Sequence, residues 1–283
     1  MAFKIIECPR DAMQGIHDFI PTSIKIKYIQ QLLKVGFDTL DAGSFVSPRA
    51  IPQMRDTAEV LKKLDLSETE TKLLCIVANN KGADIAMDFE QVSYLGFPFS
   101  VSETFQVRNT NATIQEAVKR VDYIQNLCEK HGKSMVVYLS MGFGNPYGDP
   151  WSPEIVEQWT DHMVQRGVKI ISLSDTIGVS NPENIRSIYK QLSSSYPEIE
   201  IGAHLHTRPE SWKEKIQAAY ESGCTRYDGA IKGYGGCPMA ADTLTGNMPT
   251  ESLLSFLLEN NESPCLNASE FSEAMRLSAE VFL

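Results

Sequence analysis

The sequence predicts an α/β fold of the closed (β/α)8 type, a TIM barrel, and three observations carry the prediction. Eight short aliphatic or β-branched runs alternate with longer amphipathic stretches along 283 residues, and regular alternation of this kind favours parallel pairing. A count of eight fits a closed barrel better than an open doubly wound sheet. No Gly-x-Gly-x-x-Gly follows the first run, which weighs against a dinucleotide-binding sheet. No linker, charge block or low-complexity stretch interrupts the pattern, so residues 1–283 are read as a single domain.

The elements follow in order. Strand 3–7 precedes helix 23–35, strand 37–42 precedes helix 51–64, and strand 72–77 precedes helix 81–88. Strand 91–96 leads to helix 114–131, and strand 134–140 to helix 153–166, whose start is marked by Ser152 as cap and Pro153 in the first turn. Strand 168–174 leads to helix 182–193, opened in the same way by Asn181 and Pro182. Strand 198–204, helix 210–222 and strand 224–230 complete the eightfold alternation, and helical pattern continues at 250–258 and 268–281. The segment 141–150 after the fifth strand is rich in Gly and Pro; a mobile lid and a plain surface turn both fit it.

Composition narrows the function classes. The chain is 42% hydrophobic without a run long enough to span a bilayer, and its N-terminus is not signal-like, so a cytoplasmic protein away from membranes is expected. Its six cysteines, Cys8, Cys75, Cys128, Cys224, Cys237 and Cys265, form no CxxC pair and read as free thiols of a reducing compartment. A formal charge of −10 argues against a nucleic-acid surface, which needs concentrated Lys and Arg. An anionic substrate must therefore meet a local basic patch.

In such a barrel the active site lies at the carboxyl ends of the strands, so polar residues just past each apolar run are the candidates. These are Arg10 and Asp11 after strand one, Asp41 at the end of strand two, Asp175 after strand six and His204-Leu205-His206 at the end of strand seven. Side chains at i and i+2 of a strand share a face, so both imidazoles can reach one ion; alone, the pair reads equally well as two hydrogen-bonded polar residues. At the same mouth Asp11 becomes a third ligand and Arg10 a cation aimed at substrate. Oxygen and nitrogen donors without a thiolate suit Mg2+ or Mn2+ better than Zn2+, which stays open. Cys237, in the loop Gly235-Gly236-Cys237-Pro238, is either a packing residue or a thiol that exchanges a proton.

These residues carry a resemblance. The stretches Glu7-Cys-Pro-Arg-Asp-Ala-Met-Gln14, Ser44-Phe-Val-Ser-Pro-Arg-Ala-Ile-Pro-Gln-Met54, Ser102-Glu-Thr-Phe105, Ser174-Asp-Thr-Ile-Gly178, His204-x-His206 and Gly235-Gly-Cys-Pro238 span nearly the whole chain. Together they resemble the 3-hydroxy-3-methylglutaryl-CoA lyases, within a wider group of metal-dependent barrel lyases and synthases. The resemblance implies that Asp11, His204, His206 and Asn247 bind the divalent cation. It assigns Arg10 and Cys237 to catalysis, with Asp41 and Asp175 near the reacting groups and either one the base. It implies an acyl-CoA thioester substrate, retro-aldol cleavage to acetyl-CoA and acetoacetate, and a homodimer. Three positions depart from the family pattern: Asp41 stands where Glu is usual, Thr207 where Asp or Asn is usual, and the path from Cys237 to Asn247 is one residue longer. A condensing synthase that joins acetyl-CoA to a 2-oxo acid shares Arg10, Asp11 and the histidines, but the Gly-Gly-Cys-Pro loop favours cleavage. An idle acyl-CoA-binding barrel has no need of so costly a polar cluster. For the CoA phosphates Arg49, Lys25, Lys27 and Lys81 are candidates, each equally readable as a surface charge.

Overall fold

Eight parallel strands hydrogen-bond in chain order and close on themselves through β8 and β1 in the computed structural model, which describes residues 3–236 and 245–282. They are β1 (Lys4–Glu7), β2 (Thr39–Ser44), β3 (Lys72–Ile76), β4 (Val92–Ser100), β5 (Ser134–Ser140), β6 (Ile170–Asp175), β7 (Glu200–Thr207) and β8 (Arg226–Gly229). The expected α/β barrel is the observed one. A ninth strand, β9 (Gly246–Asn247), runs antiparallel to the end of β7 and pairs Asn247 with His206.

The helices surround the strands: α1 (Pro9–Gln14), α2 (Thr22–Val35), α3 (Thr57–Lys63), α4 (Asn80–Met87), α5 (Glu103–Thr110), α6 (Ile114–Lys130), α7 (Pro153–Val164), α8 (Pro182–Ser195), α9 (Trp212–Glu221), α10 (Thr250–Glu259) and α11 (Ala268–Phe282). Buried strand faces meet buried helix stripes in one continuous apolar shell, in which Phe37, Phe97, Phe99 and Tyr189 are among the largest enclosed side chains. The helix expected over 51–64 is a 3-10 turn at Pro52–Met54 followed by α3. Asp56 breaks it: its backbone leaves helical angles while its carboxylate holds Lys25 Nζ at 2.7 Å and Thr22 Oγ1 at 2.8 Å.

The barrel interior is layered. Leu74, Ile76, Tyr94, Val136, Tyr138 and Ile170 fill part of it with apolar groups, while Arg226 of β8 crosses over the neighbouring β7 at Gly202 and pairs with Glu200 at 2.9 Å near the amino-terminal end. Gly202 makes that crossing possible, because a Cβ there would lie 2.9 Å from Arg226 Cδ. Toward the carboxyl ends the filling turns polar. A bulge between Asp41 and Gly43 shifts the β2–β3 register there, and bulges at strand ends commonly re-aim functional side chains.

Two structural expectations resolve around the mouth. The 141–150 segment is tied down: Asp149 accepts from Ser102 Oγ at 2.5 Å, Thr104 N at 2.9 Å and Thr104 Oγ1 at 2.9 Å, and so fixes the start of α5. That makes it an anchored turn. The short helices α1 and α5 lie where no helix was expected, each too brief to show a helical period.

Candidate active site

The candidate ligands converge where β1, β7 and β9 end. Pro9 starts α1 directly after β1, so Arg10 and Asp11 sit on its first turn over the barrel mouth. Both histidines lie within β7 itself, which runs to Thr207 and beyond the expected end at 204. Asp11, His204 and His206 each place one ligand atom within 4.8 Å of the others, and all three residues are buried. Asn247 joins them, donating from Nδ2 to Asp11 Oδ2 at 2.8 Å and to Tyr234 O at 2.9 Å.

Each imidazole is oriented from behind. His206 Nδ1 lies 3.1 Å from the carbonyl oxygen of Thr176, which can only accept, so the ring proton is on Nδ1 and Nε2 carries the lone pair. That Nε2 is buried and has no hydrogen-bond partner. Burial, reinforced by the neighbouring His204, pushes the His206 pKa down to about 4, so the ring is neutral at pH 7. His204 Nδ1 lies 3.0 Å from Asp228 Oδ2. Burial opposes its charge, but the Asp228 carboxylate outweighs this and raises its pKa. A carboxylate or carbonyl behind each histidine is the usual way to fix the ligating nitrogen. Imidazole nitrogens and a carboxylate brought together in one buried cluster are what a divalent ion requires, so the residues present fit one.

Arg10 is held in a fork. Its Nε and Nη2 donate to Asp41 at 2.9 and 2.5 Å, and its Nη1 donates to Asp11 at 3.0 Å and to Gln14 at 2.8 Å. Burial raises the Asp41 pKa to about 6 even against the guanidinium. For Asp11 burial likewise pushes upward, but Arg10 and the two histidines bring the carboxyl below its ordinary value.

A cleft of about 190 Å³ opens above these groups. Arg10, Asp11, His204 and His206 line it together with Gln14, Tyr138, Ser140, Ser174 and Thr176, and α5 contributes Phe105, Asn109 and Thr110. Asp41 lies behind Arg10 rather than on the cleft wall. Asp175 stands behind His206, on which its charge acts, and Lys215 links it to the His206 carbonyl oxygen. The Asp175 oxygens accept from Val179 N at 2.8 Å, Ser180 N at 3.1 Å, Ser180 Oγ at 2.5 Å and Lys215 Nζ at 2.7 Å, all on the helix side of the barrel. These four donors leave it turned away from the cleft.

Cys237 belongs to 237–244, outside the described residues. The residues flanking that stretch are fixed at the mouth. Gly235 has φ +94° and sits so tightly that a Cβ would come within 2.7 Å of Ala12 Cα and 2.8 Å of the Asp11 carbonyl oxygen, a position only glycine fills without strain. Thr245 Oγ1 donates to Ile177 O at 3.4 Å. Thr207 turns to Arg208 O at 3.0 Å and Ser211 Oγ at 3.1 Å, so Asp228 and Thr176 orient the histidines instead.

Sequence reasoning missed Asp228 and Lys215, and it met Thr176 in the strand-end stretch 174–178 without its main-chain role. Asp228 had a signal: Arg226 and Asp228 alternate in a strand otherwise bordered by small and apolar residues, and charges inside a barrel need partners. The Thr176 main-chain carbonyl leaves no trace in the side-chain alphabet.

Known proteins resemble this chain in sequence and fold. The mitochondrial hydroxymethylglutaryl-CoA lyase of Bos taurus is 34% identical over 90% of this chain and 78% of its own length, and the hydroxymethylglutaryl-CoA lyase of Bacillus subtilis is 31% identical over 89% and 83%. The crystal structure of the Bacillus subtilis HMG-CoA lyase superposes with a TM-score of 0.93 at 28% identity, covering 99% of this chain and 94% of that one. An HMG-CoA lyase from Acinetobacter baumannii, in complex with coenzyme A and 3-methylmalate, gives 0.91 at 29% identity, covering 99% and 91%. The HMGL-like family model matches residues 3–278, and the chain belongs to the HMGL-like family.

Proposed function

We propose that this protein is a divalent-metal-dependent carbon–carbon lyase that cleaves 3-hydroxy-3-methylglutaryl-CoA to acetyl-CoA and acetoacetate. The observation that carries the reading is the buried, unpartnered Nε2 of His206 beside His204 and Asp11, in a cleft lined by Arg10. Asp11, His204, His206 and the side-chain oxygen of Asn247 would hold the ion, Mg2+ or Mn2+ by the chemistry of that donor set. When bound, the ion supplies Lewis acidity that lowers the pKa of the substrate's tertiary hydroxyl.

The chain's own groups supply the rest. Of the five N–H donors of Arg10, four are engaged by Asp41, Asp11 and Gln14. The fifth, on Nη2, is free for the thioester oxygen, where charge collects as the carbon–carbon bond breaks. Asp41 holds Arg10 in place from behind, and with burial raising its pKa to about 6 it is the carboxylate of this cluster suited to take up the hydroxyl proton. Cys237 returns a proton to the acetyl-CoA carbon; the anchoring of Gly235 and Thr245 at the mouth supports that role. Asp175 serves as a positioning residue for the β6 end through Lys215 and Ser180. The apolar wall of Val46, Ile51, Ile76 and Phe105 suits the acyl arm of a CoA thioester. A reducing, cytoplasmic setting is supported by the five unpaired cysteines among the described residues, and no helix among those residues is long and apolar enough to cross a membrane.

The test is direct. Metal-free protein given Mg2+ or Mn2+ and 3-hydroxy-3-methylglutaryl-CoA should release acetoacetate. No product from protein with the metal shown to be bound would refute the reading, and product only from acetyl-CoA plus a 2-oxo acid would replace it with a condensing synthase.

A further inference from the structure

Beneath the Asp11–His204–His206 cluster lies a second set of ligand atoms, built around Cys8, to which the lyase reading gives no role. Cys8 Sγ, a ring nitrogen of His204 and a carboxylate oxygen of Asp228 all lie within 4.8 Å of one another, and all three residues are buried. His204 belongs to both sets. Its Nδ1 faces Asp228, and its Nε2, across the ring, is the nitrogen left for the upper cluster. Two buried polar atoms at this level have no hydrogen-bond partner: Asp228 Oδ1, on a residue 3% exposed, and the Tyr138 hydroxyl, which lies in the electrostatic field of both Asp228 and Cys8. Cys8 makes only a weak 3.8 Å contact to Ile6 O, and burial first, then the carboxylates of Asp228, Asp41 and Asp11, keep its thiol protonated. Those charges disfavour a lone thiolate and favour a cation beside it.

We propose that Cys8, His204 and Asp228 form a second, inhibitory site for a thiophilic divalent ion of the Zn2+ and Cd2+ class. A thiolate, an imidazole and a carboxylate make a donor set that such ions prefer and that Mg2+ does not. On binding, Cys8 releases its thiol proton to solvent, and the His204 ring moves its single proton from Nδ1 to Nε2, giving the Nδ1 lone pair to the ion. An Nε2 that carries a proton cannot ligate the activating ion above. One ring thus makes the two ions mutually exclusive. The inhibitory consequence rests on the metal-dependent lyase reading; the binding itself does not.

Co2+ serves as the optical probe, because a bound thiolate gives it a sulfur-to-metal charge-transfer absorption. Metal-free protein titrated with Co2+ should show that absorption in wild type and in Cys237→Ala, and lose it in Cys8→Ala. In the turnover assay with Mg2+, the Zn2+ concentration that halves the rate should rise at least tenfold in Cys8→Ala, whose rate without Zn2+ stays at the wild-type level. Cys8→Ser, which keeps the side-chain shape, should behave as Cys8→Ala and covers the case in which alanine disturbs the Cys8–Pro9 turn. An absorption that is missing from wild type or survives in both Cys8 variants overturns the site. Unchanged Zn2+ sensitivity in both overturns its inhibitory role. Absent turnover with the Cys8-dependent absorption intact would overturn the lyase reading and leave the ion site standing.

Discussion

Replacing Lys215 by Met removes a buried cation whose three hydrogens are all used. Its Nζ donates to Asp175 Oδ2 at 2.7 Å, His206 O at 2.9 Å and Gly178 O at 3.1 Å, and so ties α9 to the ends of both β6 and β7. Breaking a buried ion pair by deleting one partner costs ~3–5 kcal/mol, because the other charge is left uncompensated. Here the low end applies to Asp175, which keeps three donors from Val179 and Ser180. Each carbonyl left without its donor adds ~1 kcal/mol, so the total is about 5 kcal/mol. A domain of this size loses ~2–4 °C of melting temperature per kcal/mol, which puts the expected drop above 10 °C. Urea unfolding of Lys215→Met, Asp175→Asn and the double variant measures it. The double variant should be more stable than the summed single losses predict by about 2 kcal/mol, since it removes the stranded charge. Because Lys215 also grips the His206 backbone, Mn2+ affinity of Lys215→Met should fall by about tenfold, the lower range for a supporting residue. A loss of stability under 1 kcal/mol with unchanged Mn2+ affinity would refute the assignment of Lys215 as the brace of this end of the barrel.

Further outcomes follow from the same geometry. His206→Ala should abolish binding of the activating cation in a titration, and an unaltered titration would remove His206 from the ligand set. Asp41→Asn, which keeps the shape but surrenders the charge holding Arg10, should lower kcat about 100-fold, within the range for one positioned acid–base or oxyanion group, while metal affinity stays nearly constant. Gly235→Ala forces a Cβ into the Ala12 backbone at φ +94° and should cost about 2 kcal/mol along with most of the activity; a thermal melt and a rate assay report both. Burial raises the Glu7 pKa from 4.5 to about 8, so between these values the folded chain holds a proton that the unfolded chain has lost. Its stabilising contribution is therefore complete below pH 4.5 and is lost as pH rises toward 8, by at most about 1.4 kcal/mol per pH unit. Urea unfolding of Glu7→Gln at pH 5.5 and pH 8 should show a smaller decline than wild type; equal declines would contradict the raised value.

The barrel was legible because its strands are buried on both faces and so stand out as apolar runs: the expected 134–140 is β5 to the residue, and 72–77 exceeds β3 by one. The ends were harder to place. β4 continues past 96 to Ser100 through Pro98, which pairs with Tyr138, and β7 continues past 204 because β9 adds a pairing partner for His206 and Thr207. Nothing local in the sequence announces a partner that arrives from far downstream, such as Asn247. In the candidate site, residue types that seldom sit in apolar strands, Arg10, Asp11, His204 and His206, gave themselves away. Those that act through a main-chain atom or from the far side of the barrel, Thr176 and Lys215, did not. Asp175 was legible as a strand-end acid, whereas the Val179, Ser180 and Lys215 donors that take up its oxygens were not.

The hydrogen bond between Asp11 and Asn247 joins residues separated by 236 positions. A ribosome delivers the chain from its amino end, so Arg10, Asp11 and both histidines are already synthesised while Asn247 and β9 are still to come. Until β8 has paired with β1 and β9 has laid itself against β7, Asp11 and His206 are without their last neighbours. Such contacts between distant parts of a chain are the slow ones to form. Capture of the proposed ion would therefore be a late step in biogenesis, and a chain cut short before Asn247 would lack the amide that completes the surroundings of Asp11 and His206.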